Sequence, residues 1–183
     1  CPLYHATMSL ERFKNILRFL RFDDREERIK SDRLAPIRFI FESFTKHLTR
    51  HFTPYETLTV DEQLLPFLRR CSFVKYIPNK PSRHGIQFWF LSYVDTRFVL
   101  ALELYIGKVG NVVQRNLRKN VVLRLIDQLP NNVKQGRNVT YDTYFTDYEL
   151  AQALLERKMT SLGVMNHKRS FVPSELKVIR QDM

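Results

Sequence analysis

Two acidic residues and one run of cations carry the chemistry open to this sequence. In the segment from Leu58 to Gly85, LTVDEQLLPFLRRCSFVKYIPNKPSRHG, Asp61 falls amid residues that favour extended backbone, Thr57, Thr59 and Val60. The stretch is bounded by turns and too short for a stable helix, so Asp61 is placed mid-strand. Strand interiors disfavour Asp, whose short carboxylate packs poorly and competes for backbone amides, so the position asks for a reason. A solvent-facing or salt-bridged Asp is one reason, and a catalytic carboxylate is the other. Downstream, Lys75, Lys80, Arg83 and His84 sit in a loop that Pro78 and Pro81 stiffen, with Gly85 allowing close approach, a pattern suited to backbone phosphates. A solvated loop is the plain alternative.

The second acid is Asp142. It ends an expected strand, Arg137 to Asp142, and stands four residues before Thr146, which with Glu149 forms a T-x-x-E capping box. That box relieves Asp142 of capping duty. With Tyr144 and Phe145 beside it, an unpaired carboxylate would be costly without a cation or metal. A right-handed crossover that pairs this strand with the one bearing Asp61 would bring the two carboxylates face to face. Hard oxygen ligands suit Mg²⁺ or Mn²⁺, and two such ions can activate a hydroxyl and stabilise a leaving oxygen in an in-line displacement on a phosphodiester.

Those acids need a scaffold, and the pattern supplies one. Ser9 to Phe22 reads as an amphipathic helix with Leu10, Phe13, Ile16, Leu17 and Leu20 on one face. A second helix follows, capped by Ser31 or Asp32, with Leu34, Phe41, Phe44 and Leu48 as its apolar positions and Pro36 near its start. His47 and His51 lie one turn apart without a third ligand nearby, so zinc is not expected there. Strands are predicted at Leu58–Leu65, Ile86–Val94 and Phe98–Ile106, the last two joined by a tight Asp95-Thr96-Arg97 turn. A helix over Asn116–Gln128, stopped by Pro130, leads to the strand ending at Asp142, a helix at Tyr148–Lys158 and a short strand at Ser161–Met165. The order strand, strand, strand, helix, strand, helix, strand is an α/β pattern.

Composition agrees. The 183 residues, 44% hydrophobic with 14 Phe, suffice for one domain with a sizeable core. The formal charge is +11, and eleven Lys or Arg lie between Pro66 and Arg124 against two acids, Asp95 and Glu103. A basic central block of this kind suits phosphate backbones or an acidic surface, with a merely soluble cationic face as the alternative. Cys1 and Cys71 are far apart and build neither a disulfide framework nor a zinc module, which fits a reduced, intracellular setting. The longest apolar run, Ile86–Val94, is about half the roughly 20 residues of a membrane-spanning helix. The start at Cys1 and the polar end at Met183 read as a fragment of something longer.

At the residues named above the chain closely resembles the piggyBac family of DDE-type DNA transposases. The resemblance is carried by LTVDEQLLPFLRRC, KYIPNKPSRHGI and NVTYDTYFTDYELAQALL, more loosely by LGVMNHKRSFVP, and upstream by MSLERFKNILRFLRFDD and SDRLAPIRFIFESF. It implies a catalytic core with the RNase H-like fold, a nuclear setting, Mg²⁺ or Mn²⁺ as cofactor, and double-stranded DNA as partner. The implied reaction is cut-and-paste transposition, nicking transposon ends and joining them to TTAA targets. A homodimer is compatible with this reading. Asp61 corresponds to the first catalytic and metal-binding Asp and Asp142 to the second, while the family's further Asp residues fall downstream of Met183. Glu175 and Asp182 are not assigned to the site. Departures are Thr143-Tyr144-Phe145 after the second Asp, and Gly163-Val164-Met165-Asn166 in place of G-T-x-R, which removes an Arg.

The resulting expectation is a helical segment at 1–55, part of an RNase H-like core at 56–165, with three antiparallel strands and a fourth parallel to the first, and the start of a further region at 166–183. The isolated chain is expected to lack catalysis, because two carboxylates are too few to fix two divalent ions. A transposon-derived DNA-binding protein without catalysis, or a decayed remnant of a mobile element, remain the alternatives.

Overall fold

The computed structural model describes residues 2–107, 116–167 and 169–176. The chain divides into two compact units, Cys1–Phe44 and Thr45–Met183. In the first, α1 spans Pro2–Thr7 and α2 spans Leu10–Phe19. Ser9 caps α2 by accepting the Arg12 amide at 3.2 Å. Its apolar positions are those of an amphipathic helix, yet no residue of α2 is buried. The acidic-basic stretch that follows is folded by its own charges. Arg28 grips Asp23 with two bonds, 2.6 and 2.9 Å, and Asp32 accepts both the Leu34 amide and the Arg38 guanidinium. Arg38 accordingly holds the Asp32 carboxyl below its usual range. The second predicted helix is a 3-10 turn at Ala35–Ile37 running into α3, Arg38–His47.

The second unit is built on a six-stranded mixed sheet. Its strands are β1 (Thr57–Pro66), β2 (Lys75–Tyr76), β3 (His84–Tyr93), β4 (Val99–Leu104), β5 (Asn138–Tyr141) and β6 (Thr160–Gly163), with α4 (Leu117–Asp127) and α5 (Tyr148–Glu156) between the later ones. β1 pairs antiparallel with β3, and β3 antiparallel with β4. On its other edge β1 pairs parallel with β5, and β5 with β6. Counting the five long strands alone, the spatial order is third, second, first, fourth, fifth. Only the two-residue β2, which pairs with the start of β3, was not foreseen.

Period-two alternation decides which face is covered. Leu58, Val60, Trp89, Leu91, Val139 and Tyr141 share one face and are buried with Val121, Val122, Leu125 and Ile126 of α4 and Leu150 and Leu154 of α5. The α4 register is tied to that face by Arg124, which forks onto Glu103 of β4. The opposite face of β1 carries Thr57, Thr59, Asp61, Gln63 and Leu65, none of them buried.

Gly85 is needed where two strands crowd. A Cβ there would lie 2.2 Å from the Leu65 carbonyl oxygen of β1, a backbone atom that cannot step aside. Gly85→Ala should therefore destabilise the sheet by at least the ~1–3 kcal/mol typical of overpacking. A urea midpoint within error of the parent's would show that β1 accommodates the methyl group.

Candidate catalytic site

Asp61 and Asp142 are brought together by strand register. The parallel pairing of β1 with β5 ends at Val60 opposite Tyr141, and the residue that follows on each segment is an Asp: Asp61 within β1, on its uncovered face, and Asp142 just past the end of β5. Both are exposed. Each commits one carboxylate oxygen to the backbone: Asp61 Oδ1 accepts the Glu62 amide at 2.7 Å, and Asp142 Oδ1 accepts the amides of Tyr144 at 3.0 Å and Phe145 at 3.3 Å. Among the described residues neither forms a salt bridge, so the remaining oxygen of each is available to a cation.

Asp142 is held differently from the sequence expectation. The cap of α5 is Asp147, whose Oδ1 accepts the amides of Glu149 at 2.9 Å and Leu150 at 3.4 Å. Thr146 instead turns back, with its amide and its hydroxyl both donating to the Asp142 carbonyl, at 3.1 and 2.8 Å. The T-x-x-E capping box does not form. Asp142 is free of α5 but anchors its own turn, an Asx-type arrangement that fixes the carboxylate at the strand end.

The four cationic loop residues split into two pairs. The Lys75 ammonium donates to Gln87 Oε1 at 2.7 Å and lies 4.7 Å from the centre of the Tyr105 ring, and its burial lowers its pKa. Gln87, itself 1% exposed, donates to Glu62, which also pairs with Lys80 at 3.4 Å. Lys75 and Lys80 thus tie the loop to the helix-covered side of β1 and β3. Arg83 and His84 remain exposed, with the His84 ring 4.8 Å from that of Tyr76. Trp89 is 2% exposed, with its ring in a T-shaped contact with that of Tyr105.

The donor set fits a hard divalent cation in part. Two exposed carboxylates on neighbouring strands supply oxygen ligands of the kind such ions take. Among the described residues no group of three or more His, Cys, Asp or Glu converges, and His47 and His51 gather no third ligand.

An antiparallel triple continued by two parallel strands, with one carboxylate midway along the first long strand and another just past the end of the fourth, defines the class: an RNase H-like α/β core of the DDE type. The family described as Transposase IS4 matches residues 1–183. A cryo-EM structure of a piggyBac transposase synaptic complex with hairpin DNA is similar at 34% identity and a TM-score of 0.87, covering 98% of this chain and 38% of that one. The chain belongs to the piggyBac-type transposases of that family. It spans well under half the length of the structure it matches. A Mos1 transposase paired-end complex with left transposon end is also similar, at 14% identity and a TM-score of 0.36, over 87% of this chain and 52% of that one.

Proposed function

We propose that this chain supplies the first two carboxylates, Asp61 and Asp142, of a metal-dependent DNA strand-cleavage and transfer site in cut-and-paste transposition. The observation that supports it most is the register of β1 and β5, whose last pair, Val60 and Tyr141, is followed on each segment by one of the two Asp. Asp61 and Asp142 would hold Mg²⁺ or Mn²⁺ through their uncommitted oxygens, and such an ion supplies a lowered pKa for the attacking hydroxyl and charge stabilisation for the leaving oxygen. The chain's own part is positioning. The Asx turn at Asp142 and the strand at Asp61 fix the carboxylates, and the exposed Arg83 and His84 meet backbone phosphates while Lys75 and Lys80 hold their loop in place. In this reading the target is TTAA, the setting is nuclear and the acting species is a homodimer completed by sequence beyond this chain.

DNA affinity is the part this chain can test alone. Its binding to a duplex oligonucleotide should fall steeply with salt, linearly in log K against log salt, as phosphate-bound counterions are released. A flat response between about 50 and 200 mM salt would sink the proposal, since backbone contacts cannot be made without that dependence. Salt-sensitive binding joined to an absence of cleavage in the longer protein would instead favour a transposon-derived DNA-binding protein.

A further inference from the structure

A second feature of the same unit lies where α4 begins, against the turn that Asp142 anchors. A cavity of about 500 Å³ is lined there by Arg118, Lys119, Tyr144, Thr146, Asp147 and Arg169, together with the first residues of α4. Its charges do not cancel. Lys119 is paired with Glu149 at 3.1 Å, and the Asp147 carboxylate is turned onto the amides of α5. Arg118 and Arg169 have no carboxylate partner among the described residues.

Two further facts indicate what such a cavity takes. The Arg118 guanidinium lies 4.3 Å from the centre of the Tyr144 ring. Stacking occupies the flat face of a guanidinium and leaves its edge N–H groups free, the fork that matches two oxygens of a phosphate. The first turn of α4 also holds Arg118 and Lys119 with no acid, and Asn116 provides no side-chain cap. Cations at the positive end of a helix are unfavourable unless an anion offsets them. Lys119 has that offset in Glu149, whereas Arg118 has none among the described residues and opens into a polar cavity that an anion would complete.

We infer that this cavity seats a backbone phosphate of the DNA, in the nucleotides flanking the one presented to Asp61 and Asp142, with Arg118 and Arg169 as its ligands. The inference rests on the DNA-binding reading above and adds to it a defined subsite. Its link to the second acid is short: Tyr144, on which Arg118 stacks, donates its backbone amide in a hydrogen bond to Asp142 Oδ1 at 3.0 Å. Occupancy of the cavity would therefore help to set the path of the strand past the second carboxylate.

The test is the salt slope of duplex binding, measured by fluorescence anisotropy on the 183-residue chain carrying Arg118→Gln, Arg169→Gln or, as a control, Arg157→Gln. Arg157 is also cationic but is paired with Asp127 at 2.8 Å. The expected result is a slope shallower by about 0.9 for each of the first two variants, with weakening alike across sequences, and no change for the control. Arg118→Lys should restore the slope, because it returns the charge, and this separates lost contact from lost folding. An unchanged slope in Arg118→Gln and Arg169→Gln, with the parent still salt-sensitive, would overturn the subsite and leave the proposed function standing. An equal fall in all three variants would overturn it too, by showing a diffuse charge effect. A parent chain without salt dependence would overturn both.

Discussion

On the proposed function, replacing Asp61 with Asn in a version of this chain extended to the length of the transposase it matches is expected to lower metal-dependent strand cleavage by more than about a hundredfold while leaving DNA affinity and folding intact. The magnitude follows from the ligand role, since even outer partners of a metal ligand are worth about 10- to 100-fold. The selectivity follows from the geometry. Asp61 is exposed and uses only Oδ1 in the fold, accepting the Glu62 amide at 2.7 Å, a bond that an Asn carbonyl can also accept. What the substitution removes is the charge and the second anionic oxygen. Stability should stay within about 0.5 kcal/mol of the parent, as for most exposed sites away from special features. Cleavage at the parental rate in Asp61→Asn would show that Asp61 is a surface acid and end the metal-site reading. Asp142→Ala offers a contrast, because it would lose cleavage and also release the Tyr144 and Phe145 amides, about 1 kcal/mol of fold.

Both proposed acids are marked in the sequence by local signals. Asp61 sits among Thr and Val in a segment too short for a helix, and Asp142 ends a strand just before a helix, so one crossover suffices to place them side by side. The helix cap was misread for an equally local reason. Thr146 and Glu149 have the spacing of a capping box, but Asp147 is as good a cap, and the Thr146 amide and hydroxyl both close a turn on the Asp142 carbonyl. The N-cap falls one residue later as a result, on Asp147, and the helix runs from Tyr148.

Long-range pairings could not be read in the same way. Nothing near Lys75 or Lys80 announces that Glu62 and Gln87 will meet them from the covered face of β1 and β3, since those contacts exist only once the strands are in register. Gly85 was legible as a close-approach residue, yet the approaching group is the Leu65 carbonyl. The cavity beside α4 did leave a trace: Arg118 and Lys119 in a first helical turn without an acid run against the helix dipole. Such a conflict between local preference and placement is what a binding site leaves in a sequence.

The other large effect is expected in the core. Trp89 is 2% exposed, its ring centroid is 5.4 Å from that of Tyr105 in a T-shaped contact, and it packs on the covered face opposite Glu62, the residue next to Asp61. Trp89→Ala should cost about 3–5 kcal/mol, the range for deleting a buried large aromatic. That is a large share of the roughly 5–15 kcal/mol that holds a domain together. Trp89→Phe should cost much less, about 1–2 kcal/mol, for a reason specific to this site. The indole Nε1 is buried without a hydrogen-bond partner, so its removal forfeits no bond and leaves only a smaller ring in the same space. Urea unfolding of the two variants decides the matter. Near-equal losses would mean that the indole nitrogen is bonded in solution, and a loss under about 1 kcal/mol for Trp89→Ala would mean that the sheet does not depend on this residue.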